Sequence, residues 1–195
     1  MRSWKVWKSI ASSGRGGGDR LESLGSAAPR DGRTAACVAT AWIILINKPL
    51  YPLTVWALIG AHPAALSLAT LALAPLYGLV PYLANRSAWG ARLALPLVGL
   101  GDTLYATKAM GSGAGTELFL FPCALLAIIG FSAREATARR TLIIVIYCAA
   151  IALHERYGAP FQAWSADDLT RLFSLNTFSV ASLTAYIGLR FAEVE

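Results

Sequence analysis

Charge is what this sequence has least of. Only 14% of its 195 residues are charged, against 56% hydrophobic, where a water-soluble globular domain carries about 25% charged residues. From Asn47 to Asn85 the single charge is Lys48. That scarcity excludes an ordinary soluble domain, because apolar stretches of about 20 residues read as bilayer-crossing helices. Alternation is absent too. Runs such as LIIVIYCAAIAL do not switch between apolar and polar residues, which excludes a transmembrane β-barrel. Cysteine is sparse: Cys37, Cys123 and Cys148 lie in apolar surroundings without C-x-x-C spacing. A disulfide framework or structural metal site is therefore not expected, and the three read as small buried hydrophobes. Catalytic signatures are missing as well, with no H-E-x-x-H, no G-x-S-x-G and no P-loop. His62 and His154 stand far apart, so no enzymatic function and no cofactor or metal is expected. The net charge of +6 does not point to nucleic acid, because basic residues beside spans are what membrane orientation requires.

What is present reads as an all-α, polytopic membrane protein with six transmembrane helices. Residues 1–33 are Gly/Ser/Pro-rich and charged, which predicts a disordered cytoplasmic tail. Within it, MRSWKVWKSI places Trp4, Trp7 and Ile10 at helical spacing among basic residues, suited to a short helix on anionic lipid. No apolar stretch follows it, so it is not a signal peptide. Six spans are expected at about 34–60, 63–84, 89–110, 116–132, 141–157 and 169–190. GAHP and GSGAG are the turns after the first and third. SAREATARR, 132–140, is a charged connector, and 191–195 is a cytoplasmic end. With both termini inside, thirteen of the 17 Lys and Arg residues fall on the cytoplasmic face, and Lys108, Arg156 and Arg171 on the other. That bias predicts cytoplasmic termini. Dividing 34–60 at Lys48 would leave a first piece too short to span.

Lys48 is then inside a span, where a lysine costs at least about 2.5 kcal/mol unless it reaches the interface or finds a partner. Asp102 lies ten residues past Arg92, and Lys48 fifteen past Arg33, so both sit at middle-to-outer depth. One reading pairs them as an intramembrane ion pair, with backbone carbonyls freed by Pro49 and Pro52 as further acceptors. The other has Lys48 snorkelling outward and Asp102 protonated or hydrated. A second polar group gathers at the outer rim. Glu117 opens the fourth span, His154, Glu155 and Arg156 close the fifth, and Arg171 and Asn176 open the sixth. With Tyr105 and Phe119 as walls, Tyr105, Glu117, Phe119, His154, Glu155 and Asn176 are a candidate outer ligand pocket; otherwise they are interfacial residues in contact with water. Asp167 and Asp168 suit the start of a helix. Ser179, Ser182, Ala185 and Gly188 put small residues along the sixth span, where they permit close helix approach in a dimer or within the bundle.

LYGLVPYLANR, followed by GARLALPLVGLGDTLYATKAMGSGAGTELFLFPCALLAIIGFSARE, resembles the middle of the six-span membrane anchors of bacterial class III adenylate cyclases, mycobacterial ones among them. Related anchors precede histidine-kinase and diguanylate-cyclase domains. The likeness covers about 70–195. It rests on the glycine-rich outer turn, on Gly115, Thr116 and Glu117 leading an aromatic-rich fourth span, on the connector ending near Arg140, and on a fifth span closing on Glu155. The resemblance implies a homodimeric, non-catalytic sensor or anchor in the bacterial inner membrane. It would relay a membrane or extracellular signal through its last helix to a cytoplasmic cyclase or kinase. The sequence departs from the pattern at GLRFAEVE, where such anchors continue into a transducer and catalytic domain. Cyclase activity is therefore not implied, and either an anchor cut from a longer protein or a stand-alone receptor fits. The rival expectation is a small transporter or channel with Lys48 and Asp102 on the permeation path. The halves 34–110 and 116–190 show no convincing inverted repeat of the kind many transporters carry.

Overall fold

The computed structural model describes residues 31–154, 156–161 and 163–194. The expectations for the first thirty residues and for Glu155 lie outside them. Every regular element among the described residues is helical: α1 Gly32–Leu58, α2 Ala61–Ser67, α3 Leu79–Ala84, α4 Ala88–Met110, α5 Leu120–Ile129, α6 Ala136–Leu153 and α7 Ala166–Ala192. Short 3-10 turns precede or join several of them.

Asp31 starts α1 by accepting the Thr34 N–H at 2.7 Å, so residues 32 and 33 belong to the helix and not to the tail. The helix then runs through Lys48, Pro49 and Pro52 without ending. Each proline deletes a backbone hydrogen bond, yet Pro52 and Val55 are buried, and packing against α2 and α4 holds the segment helical. The second expected span is not continuous. Helix α2, the 3-10 turns Leu68–Leu71 and Ala74–Gly78, and α3 form two halves bent by 43°. Pro75 lies at the start of the second half, where its missing N–H cannot carry the helical ladder across the break.

The 132–140 connector is also different from expectation. Ser132 and Glu135 form a capping box, the Ser132 N–H and Oγ each 2.9 Å from Glu135 Oε2. Two backbone ends satisfied at once start a helix. Arg139 and Arg140 therefore ride on α6, which covers Ala136–Leu153 and not 141–157. Ser165 caps α7 by accepting the Asp168 N–H at 3.1 Å, and that helix outruns its expected bounds at both ends. At the turn between α4 and α5, Gly111 and Gly115 have φ of 87° and 74°, a region that L side chains rarely occupy.

Helix α4 is the hub. It packs on α1, α3, α5 and the turns at Leu68–Leu71, Ala74–Gly78, Ser112–Ala114 and Thr116–Phe119. Helix α6 lies at the periphery on α5, with Ile144, Tyr147 and Ile151 exposed. Large apolar side chains cover much of the outside, among them Trp42, Leu53, Trp56, Phe121, Phe178 and Leu189. Thr34, Thr40, Thr103, Thr107 and Asn176 are buried within. A water-soluble protein does not expose apolar surface on this scale. Three helices are long and apolar enough to cross a membrane, Gly32–Leu58, Ala133–Leu153 and Ala166–Ala192, and a fourth is gained if the bent pair counts as one.

Candidate functional site

Lys48 projects from the middle of α1 toward Asp102 on α4. The ammonium lies 2.6 Å from each carboxylate oxygen and donates at 3.0 Å to the Thr70 carbonyl. The Tyr77 hydroxyl donates to Asp102 Oδ2 at 3.0 Å. The side chains of Lys48 and Asp102 are only 13% and 10% exposed. The structure thus brings together the two residues matched by depth in the sequence. The carbonyl the ammonium reaches is Thr70's, beside the break between α2 and α3, not one freed by Pro49 or Pro52. Nothing in the sequence marks Tyr77 or Thr70 as partners of this pair. A buried charge needs both a counter-charge and hydrogen bonds to its remaining valences, and α1, α4 and the broken segment supply them jointly.

Beside this pair lies a cavity of about 430 Å³. Lys48, Tyr51, Tyr77, Asp102 and Asn176 give it polar groups, while Ile44, Leu95, Leu126 and Leu183 are among its apolar walls. Asn176 is 1% exposed, and its Nδ2 donates to the Ala114 carbonyl at 2.8 Å. The Tyr51 hydroxyl approaches the Met110 sulfur at 3.9 Å, and the Asn176 side chain lies close enough to interact with it.

The outer pocket expected from sequence is not assembled as one site. Phe119 and Asn176 line the central cavity. Glu117 pairs with His154 (Oε2 to Nδ1, 3.1 Å), and the His154 side chain is 63% exposed. Tyr105 makes an edge-to-face contact with Phe161, ring centroids 6.1 Å apart. The 3-10 turn Thr116–Phe119 explains the split. At three residues per turn, side chains two positions apart diverge by about 120°, so Glu117 and Phe119 serve different surroundings. On α7, Ser179 and Ser182 border the cavity. Ser182, Ala185 and Gly188 are exposed, and no atom lies within 4 Å of where a Gly188 Cβ would stand.

Two further polar clusters tie the bundle ends. At the Asp31 end, Arg92 is 9% exposed, with Nη2 2.5 Å from Glu135 Oε1 and Nη1 3.7 Å from Asp31 Oδ2. Its guanidinium also sits 5.9 Å from the Phe131 ring centroid. In sequence Arg92 registers only as a topology marker, although the Ser132–Glu135 spacing nearby was a usable signal. At the opposite end, Lys108 donates to the Tyr157 and Ala159 carbonyls at 2.8 Å each, which anchors the segment after α6. Among the described residues, no three His, Cys, Asp or Glu side chains are grouped to hold a metal. Cys37 and Cys123 are buried and free, whereas Cys148 is free but exposed, against the buried role expected for it. No protein-family model matches the chain, and neither the curated proteins nor the solved structures contain a match to it.

Proposed function

We propose that this chain is a non-catalytic, six-span membrane receptor or anchor domain with both termini cytoplasmic in a bacterial inner membrane. Helices α1, α6 and α7 and the bent α2–α3 pair supply four spans. Helix α4 carries Arg92, Asp102 and Lys108, a polarity suited to a helix enclosed by its neighbours. The apolar segment Thr116–Ile129 is about 21 Å long and crosses with local bilayer thinning. The positive-inside bias supports the orientation.

The observation that carries the receptor reading is the cavity. It is bordered by Ser179 and Ser182 on the same helix whose exposed Ala185 and Gly188 suit contact with a second copy. Occupancy of the cavity bears directly on how α7 packs, and α7 is the helix that leads to the cytoplasmic side. A small change there, amplified between two packings of a dimer, is the signal passed to a cyclase- or kinase-type partner. The test is a cysteine at Ser182 in a chain with Cys148 replaced by Ser. Disulfide-linked dimer in native membranes is expected, and monomer alone defeats the dimer interface. A reporter fused after Glu135 is expected to be cytoplasmic.

A second reading, a small transporter, is favoured by one observation. The bent second span places a backbone carbonyl against an intramembrane ammonium, as broken helices do at transporter ion sites. Solute flux through the purified chain in liposomes selects this reading, and its absence with dimer formation selects the receptor.

A further inference from the structure

The cavity also has a direction. Ile43 and Asn47 on α1, and Phe178 and Ser182 on α7, border it and are exposed. It therefore opens sideways between α1 and α7, about midway along the two helices. In a spanning bundle that mouth faces lipid tails or, where α7 packs on a second copy, the lipid-filled edge of that seam, and in neither case bulk water. Solutes reaching it come from within the bilayer, so they are predominantly apolar. A volume of about 430 Å³ falls in the range of about 300–1,000 Å³ that holds a small organic ligand, enough for one chain or a compact ring system.

The polar lining sets the head group. Lys48 and Asp102 neutralise one another. An ionised ligand of either sign would have to draw one of them away, and a charge left buried without its partner is strongly penalised. A neutral head avoids this. Asp102 Oδ1 accepts from Lys48, while Oδ2 accepts from Tyr77 with the ammonium also 2.6 Å away; a carboxylate has about four acceptor positions, so one stays open. The Tyr51 hydroxyl, one helical turn from Lys48, has the Met110 sulfur at 3.9 Å as a weak acceptor and the Asn176 side chain within reach. The site thus offers a spare strong acceptor together with a hydroxyl able to donate or accept. A ligand hydroxyl, which both donates and accepts, matches that set. We infer that the α1–α7 cavity binds a neutral, membrane-dissolved alcohol, with its hydroxyl at Asp102 and Tyr51 and its apolar body leading out through the lateral mouth.

This builds on the receptor reading, but its test is read on the chain itself, so a failed dimer crosslink would remove that reading and leave this one standing. The full chain in nanodiscs is photolabelled with a dodecanol bearing a terminal diazirine, and the labelled residues are mapped by mass spectrometry. Label is expected on α1 near Ile43 and on α7 near Phe178 and Ser182. Unlabelled dodecanol is expected to displace it about tenfold better than dodecane, dodecanoate or dodecylammonium, since a site built around a hydroxyl discriminates against analogues without one. Ile43→Trp at the mouth, and separately Ala106→Leu on the α4 wall, are expected to lower labelling about tenfold while the chain keeps its unfolding temperature. Label concentrated on Ile144, Tyr147 and Ile151 of α6 would mark general lipid contact and overturn the proposal. Equal or better displacement by dodecanoate, or undiminished labelling in both variants, would overturn it as well.

Discussion

Two acid–base contacts in this molecule use similar groups at different depths. Lys48–Asp102 is enclosed at mid-bundle, its side chains 13% and 10% exposed, with a backbone carbonyl and a phenol completing it. Glu117–His154 joins two segments at the rim, with the histidine 63% exposed. Water can take the place of the exposed histidine at the rim, whereas Glu117 is 22% exposed, so removing the histidine costs little. At mid-bundle nothing else neutralises a surviving charge, so the pair is costly to break even where its net contribution to stability is small. The lesson is that environment sets the importance of such a pair far more than distance does.

The largest expected effect breaks the inner pair. Asp102→Ala strands the Lys48 ammonium and is expected to cost about 3–5 kcal/mol, read as lost expression and a lower unfolding midpoint in detergent. Adding Lys48→Met should restore much of that loss. Additive single effects would mean that the two residues act independently. Next is Arg92→Ala, which leaves Glu135 without its guanidinium and is expected to cost about 1.5–3 kcal/mol by the same measurement. Gly99→Ala is expected to cost about 1–3 kcal/mol through overpacking, because the new Cβ would stand 2.7 Å from Cys123 Sγ. Cys123→Ala should relieve it. Smallest is His154→Ala at the rim, expected below about 1 kcal/mol. A His154 effect as large as that of Asp102 would erase the contrast drawn between the two depths.

The all-helical class and the single helix through Lys48 were legible in the amino-acid pattern, because long apolar runs and the lack of alternation speak to both. The depth of Lys48 and Asp102 was legible too, since helical rise converts residue number into distance. Rotation about each helix axis was not. In a soluble protein, polar residues mark the outward face, but a helix apolar all round carries no such mark. That is why Phe119 and Asn176 proved to border the central cavity, whereas Tyr105 and His154 face other partners. The break near Pro75 was obscured by apolar composition on both sides of it. The Ser132–Glu135 cap was obscured by the charges that follow, although its spacing is a recognised helix start.

One consequence concerns the Thr70 carbonyl that receives the Lys48 ammonium. It belongs to the main chain, so no substitution of a side chain can delete it. An alanine scan would remove Asp102 and Tyr77 in turn yet always leave the lysine one ligand, and so would understate how firmly α1 is tethered to the kinked segment. Replacing the amide that bears this oxygen with an ester, which makes it a poorer acceptor, is the substitution that would expose the missing share.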